Sequence, residues 1–190
     1  MDVIEGFRLS PQQRHLWSLQ QHSGDELPYR AQCAILIEGS LNLRVLRAVL
    51  RDISDRYEIL RTTFRCPHGM TIPLQGGKEE SAPSIEEYDL STCDPLRQEA
   101  EIEALFQELG RVPFDLANGP VLHISLLTLA ADRHMLFVNV PSLCADAASL
   151  RILVREISRR YSAFVRGQEP SGDPSQYGDF VAIDSHHDLR

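Results

Sequence analysis

Apolar and polar positions follow two different periods along this chain. Leu136, Val138 and Val140 interleave with Met135, Phe137 and Asn139, and the near-continuous apolar run predicts a strand over 134–140 that is buried on both faces. Pro141 has no N–H to give a ladder and closes the strand. After it the period changes. Leu150, Leu153, Val154, Ile157, Tyr161 and Phe164 recur at helical spacing, with Asp146 placed as N-cap and Ser149 in the first turn. Residues 141–146 are therefore a crossing from the end of a buried strand to a helix start, a common place for a site in α/β proteins.

The same patterns extend over the rest of the chain. Ser10-Pro-Gln-Gln13 puts Ser at an N-cap, Pro at the first helical position and Gln at the third, a capping box, with Leu16, Trp17 and Leu19 on the apolar side. Residues 31–38 read as a strand centred on Ile35, Leu36 and Ile37. Gly39-Ser40 ends it, and Ser40 is placed to cap a helix over 41–56 carrying Leu43, Leu46, Leu50 and Ile53 on one face. Residues 67–83 are rich in Pro, Gly and polar side chains, with a short strand at 70–74 and a hairpin or exposed loop at Gly76-Gly-Lys78, which lacks the flanking residues of a phosphate loop. A short strand follows at 85–90. Asp94-Pro95 opens a helix over 95–110 that turns Ile102, Leu105, Phe106 and Leu109 inward. Residues 113–120 form a turn-rich connector, and 122–129 pairs antiparallel with 134–140. The expected fold is α/β (α+β): a mixed sheet covered by helices at 41–56, 95–110 and 146–165, with the 134–140 strand central.

Composition narrows the function. A chain of 190 residues with 43% apolar and 24% charged content is enough for one sizeable core, in one or two domains. A net charge of −8 argues against nucleic acid or an anionic membrane as partner. No apolar run has the length of a membrane span, and Met-Asp-Val-Ile-Glu lacks a basic targeting segment. Cys33, Cys66, Cys93 and Cys144 are widely spaced and read as free thiols, so a cytoplasmic location is expected. His186-His187 has no third ligand in view, and no metal site is expected.

Four stretches resemble core motifs of the condensation domains of nonribosomal peptide synthetases. Ser10-Pro-Gln-Gln-Arg-His-Leu-Trp-Ser-Leu19 resembles the first, Ser-x-Ala-Gln-x-Arg-Leu-Trp-x-Leu, departing at Gln12 and His15. Arg56-Tyr-Glu-Ile-Leu-Arg-Thr-Thr-Phe64 resembles the second, Arg-His-Glu-x-Leu-Arg-Thr-x-Phe, departing at Tyr57. The crossing resembles the third, His-His-x-x-x-Asp-Gly-x-Ser. Asp146 and Ser149 match it, Ala147 stands at the Gly, and Pro141 and Ser142 stand at the two His positions. Tyr177-Gly-Asp-Phe-Val-Ala182 partly matches the fourth, and Pro113-Phe-Asp-Leu-Ala-Asn-Gly-Pro120 resembles a family connector.

The resemblance implies a chloramphenicol-acetyltransferase-like single lobe over 1–166, then a linker and the start of an inter-lobe segment over 167–190. The second lobe's motifs are not found. It also implies that Arg61 pairs with Asp146 to support the crossing. The implied partners are an adenylation domain and a peptidyl carrier protein in secondary-metabolite and antibiotic biosynthesis, the phosphopantetheine being carried by that partner and no cofactor being bound directly. Arg151, Arg155 and Arg159, at i, i+4 and i+8 with Arg160 and Arg166 nearby, are then either a solvated face or a docking stripe for the acidic carrier or its phosphate.

The chemistry expected of the crossing is poor. Amide formation on a thioester needs a neutral amine held at the carbonyl, and in the family the second His serves that step. Ser142 needs a base of its own, and Pro141 has no polar side-chain atom. Cys144 is the only intrinsic nucleophile there, and a small buried residue is the simpler reading. His123 and His134 lie on or beside strands and read as packed rather than catalytic. Two functions remain: a truncated, non-catalytic interaction or scaffold lobe, or half of a degenerate acyltransferase that needs a second lobe.

Overall fold

The computed structural model describes residues 6–22, 29–77 and 82–168. In chain order the elements are β1 (Phe7–Arg8), α1 (Pro11–His22), β2 (Arg30–Glu38), α2 (Leu43–Arg56), β3 (Thr62–Arg65), β4 (Leu74–Gly77), β5 (Ser84–Asp89), α3 (Pro95–Leu109), β6 (His123–Ala130), β7 (Arg133–Pro141) and α4 (Ala147–Val165). A 3-10 turn, Glu58–Arg61, joins α2 to β3.

The main sheet is mixed, with strand order β2-β7-β6-β5. β7 pairs antiparallel with both β2 and β6, and β6 pairs parallel with β5. That parallel pair needs a crossover, and α3 supplies it. The period-2 pattern of β7 then explains the layers. Leu136, Val138 and Val140 pack with Leu46, Val49, Leu50 and Ile53 of α2 and Leu150, Leu153 and Ile157 of α4. The intervening Phe137 and Met135 pack on the other face, against Ile102, Leu105, Phe106 and Leu109 of α3. Phe106 meets Phe137 edge-on, 5.1 Å between ring centres. The expected α/β architecture with a central, doubly buried 134–140 strand is what forms.

Several local expectations shift. Asn42, not Ser40, caps α2, accepting from the Arg44 and Val45 amides, because the helix begins two residues later than its apolar face suggests. The strand expected at 70–74 lies at Leu74–Gly77, so Gly76 and Gly77 are ladder residues rather than loop. They pair with Thr63 and Thr62 in a separate antiparallel sheet, β1-β4-β3, where tertiary pairing overrides the low strand propensity of glycine. Lys78, residues 169–190 with the 177–182 motif, and His186-His187 lie outside the described residues.

Arg160 departs most from expectation. It is not part of an exposed basic stripe: it is 1% exposed and points between α2 and α4. Its guanidinium donates to Asp52 Oδ2 at 2.7 Å and Glu156 Oε2 at 3.1 Å, and Asp52 also accepts from Arg56 at 3.1 Å. A buried Arg survives desolvation only when its donors are matched in this way. Glu156 also accepts from Arg159 on the surface, and these bonds, Arg159's first, hold its carboxyl below the usual value of 4.5.

Removing one partner of the buried pair should cost far more than removing the surface one. Asp52→Ala is expected to destabilise by about 2 kcal/mol, under the 3–5 typical of a fully broken buried pair because Glu156 remains. Arg159→Ala, which removes only a solvent-exposed partner of Glu156, should cost far less. Urea unfolding of the two variants checks the difference. Because its folded value is depressed, the Glu156 contribution is complete above pH 4.5 and is lost as pH falls through that lower value.

Candidate functional site

The crossing between β7 and α4 is tied at almost every peptide. Pro141, the last residue of β7, accepts at its carbonyl from the amides of Cys144 at 2.8 Å and Ala145 at 3.2 Å. The Ser142 amide donates to Tyr29 O at 3.0 Å. Leu143 O accepts from Gln13 Nε2 at 2.9 Å. Asp146 then caps α4, accepting at Oδ1 from the Ser149 amide and the Ser149 hydroxyl, both at 2.7 Å. Ala147 is the first helical residue and is exposed.

Gln13 joins this crossing to the other motif stretches. Its Oε1 accepts from the Ser10 amide at 3.0 Å while Ser10 Oγ accepts from the Gln13 amide at 3.2 Å, so the predicted capping box forms. That bond leaves Nε2 to donate twice, to Leu143 O and to Gln75 Oε1 at 3.1 Å. Gln75 in turn donates to Arg8 O. Ser10, Gln13 and Gln75 are all buried, so each of these bonds protects a desolvated polar atom. Under them Leu9, Phe64 and Leu143 form an apolar cluster with Leu16, Trp17, Leu116 and Cys144. The first, second and third motif stretches thus converge on one place through Gln13, Phe64 and Leu143. The role of Gln75 has no signature in the sequence.

The side chains at the crossing supply no ready base. The Ser142 hydroxyl makes no hydrogen bond among the described residues, and Pro141 is buried. Burial pushes the Cys144 thiol up, away from the thiolate that a nucleophile needs. His134 lies seven residues from Pro141 along β7, about 23 Å away. His123 pairs across from Asn139 at the same end of the sheet, but its ring lies tilted against Phe114, 4.7 Å between ring centres, and its Nε2 donates to Pro120 O at 3.0 Å. Burial lowers its pKa, so it is neutral at pH 7.

The expected pairing of Arg61 with Asp146 is not formed. Asp146 is exposed and its hydrogen bonds go to Ser149, while the Arg61 guanidinium stands 3.6 Å from Glu58. The cap geometry turns the Asp146 carboxylate toward its own helix, which is why the longer-range pair fails. Arg151, Arg155 and Arg159 are all exposed on α4. Arg159 is bidentate to Glu156, whereas Arg151 and Arg155 form no ion pair among the described residues.

Asp146 therefore acts as a helix cap. Asp146→Ala should cost about 1 kcal/mol near neutral pH, the value of one N-cap. Combining it with Arg61→Ala should be additive within about 0.5 kcal/mol in denaturant melts; a coupling above 1 kcal/mol would restore the pair. The Ser149 bonds hold the Asp146 carboxyl below 3.8, so its contribution is complete above that pH and fades as pH falls through the lower folded value.

Known proteins resemble this chain in sequence and in fold. The chain is 33% identical over 174 residues to chondramide synthase cmdD of Chondromyces crocatus, covering 90% of this chain and 4% of that protein. It is 31% identical over 176 residues to phosphinothricin tripeptide synthetase PhsB of Streptomyces viridochromogenes, covering 92% of this chain and 15% of that one. The chain thus spans a small part of the curated relatives it matches. Among solved structures, the starter condensation domain of rhizomide synthetase RzmA superposes with a TM-score of 0.86 at 23% identity, covering 98% of this chain and 46% of that chain. The X-domain in complex with OxyB from teicoplanin biosynthesis gives 0.79 at 25% identity, covering 98% and 39%. The family model for the condensation domain matches residues 4–188, and the chain belongs to the condensation-domain family of nonribosomal peptide synthetases.

Proposed function

We propose that this chain is a non-catalytic condensation lobe that serves as an interaction module within a nonribosomal peptide synthetase. One observation carries the reading: the scaffold of the crossing is complete while its acid–base chemistry is missing. The bonds of Gln13 to Leu143 O and of Asp146 to Ser149, with the backbone bonds at Pro141 O and to Tyr29 O, hold the loop. Pro141 and Ser142 stand where the family has its two His residues, and neither His123 nor His134 is positioned to replace them. The X-domain structure supports the class of role, since its fold is seen there in complex with a partner. The exposed Arg151 and Arg155 on α4, with Arg159, are the surface on which an acidic carrier protein or its phosphopantetheine phosphate would dock. An adenylation domain is the other neighbour that such a lobe would meet.

A second reading is favoured by the coverage. The chain spans 46% of a solved condensation domain, so it fits half of a degenerate acyltransferase completed by another lobe. Both readings predict inactivity of this chain alone, because loss of a base costs about 10²–10⁴ in rate and an open lobe neither positions two substrates nor excludes water.

Mass spectrometry of aminoacyl-loaded carrier proteins incubated with the chain tests this. No dipeptidyl product above the no-protein control is expected for the wild type or for Ser142→His. Product from the wild type would refute the non-catalytic reading. Product from Ser142→His alone would mean that one lobe builds a competent site once the base is restored.

A further inference from the structure

The helix pair α2–α4 is sealed over most of its length and open at one end. Leu150, Leu153 and Ile157 of α4 are buried, yet the apolar spacing continues to Phe164 and Val165, which are 37% and 58% exposed. Leu43, in the first turn of α2, is 39% exposed beside them. With Leu41, Val45 and Tyr161 these side chains line a groove of about 730 Å³. The Tyr161 hydroxyl accepts from the Asn42 amide at 2.8 Å and ties the two helices together there. Arg44 stands on the rim.

α4 ends in a turn next to this groove. Gly167 has φ of +66°, its amide donates to Phe164 O at 3.1 Å, and the Gln168 amide donates to Ala163 O at 2.9 Å. This is the turn that glycine permits at a helix C-terminus, and it reverses the chain at the helix end. The eight residues that follow, Glu-Pro-Ser-Gly-Asp-Pro-Ser-Gln, are polar or Pro and Gly. Tyr177-Gly-Asp-Phe-Val-Ala-Ile183 then places four large apolar side chains within seven residues.

We propose that the groove between the first turn of α2 and the last turn of α4 is the docking site for residues 177–183 of this same chain. Reach allows it: from Gln168 to Tyr177 the chain spans up to about 30 Å. The short tether favours it over any free partner, because it holds the segment at roughly millimolar effective concentration. Chemistry matches as well. Tyr177, Phe180, Val181 and Ile183 supply the apolar surface that Leu43, Phe164 and Val165 leave open, and Asp179 falls among them where Arg44 can meet it.

Disulfide trapping in the full chain tests the proposal, in a Cys66→Ser background that removes the exposed native thiol. Leu43→Cys is combined in separate variants with Tyr177→Cys, Phe180→Cys or Ile183→Cys, oxidised with glutathione disulfide, and read by peptide mass spectrometry. At least one pair should form an intramolecular disulfide about tenfold faster than the same cysteine paired with Leu96→Cys, an 81% exposed position on α3. Adding Val165→Glu should slow the trapping to the control rate, with circular dichroism confirming that the fold persists. Equal rates for Leu43→Cys and Leu96→Cys would overturn the proposal. So would disulfides that form only between molecules, which would assign the groove to a second copy.

Discussion

The side-chain amide of Gln13 is the bond on which the crossing between β7 and α4 depends. Its oxygen closes the cap of α1, and its nitrogen holds both Leu143 O and Gln75 Oε1. Without it a buried carbonyl in a loop would have no donor, at a cost of about 1–3 kcal/mol. The same amide sets α1 and the small β1-β4-β3 sheet against the end of the main sheet. Phe64 and Leu143 then pack beneath it, and Asp146 starts α4 at a fixed position. The strand, the loop and the helix are thus aligned by one buried hydrogen-bonding hub.

A hub of this kind holds a shape without demanding any chemistry at it. None of the bonds that shape residues 141–146 involves the side chain of Pro141 or Ser142; the carbonyl of the first and the amide of the second are used instead. Backbone bonds tolerate replacement of those side chains. The architecture of the crossing is thus independent of which side chains stand at positions 141 and 142. The charge on α4 is divided along the same lines. Arg160 is consumed inside by Asp52 and Glu156, while Arg151 and Arg155 face outward.

Much of this was legible from local pattern. The two-sided apolar run of β7 announced a central strand, and Ser10 with Gln13 announced a capped helix. Bonds between distant residues were not legible. Gln13 and Leu143 are 130 positions apart, and nothing in either neighbourhood marks the contact. Arg160 is an intermediate case: it lies three residues after Ile157 on the apolar face, so its spacing carried the signal, but its charge invited a surface reading. Asp146 shows the reverse. A capping bond three residues away claims a carboxylate before a distant Arg61 can. Gly76 and Gly77 read as loop because glycine is a poor strand former, yet pairing with Thr62 and Thr63 decided their state.

The role proposed for this lobe is to bind synthetase partners without turning over their substrates. Isothermal titration of the chain with the aminoacyl-loaded carrier protein of its own synthetase tests it most directly. Saturable binding is predicted, weakened about tenfold or more by the double substitution Arg151→Glu and Arg155→Glu, with the loaded aminoacyl group recovered unchanged after the titration. Absence of binding, or binding indifferent to those two charges with the aminoacyl group consumed, would overturn the proposed role.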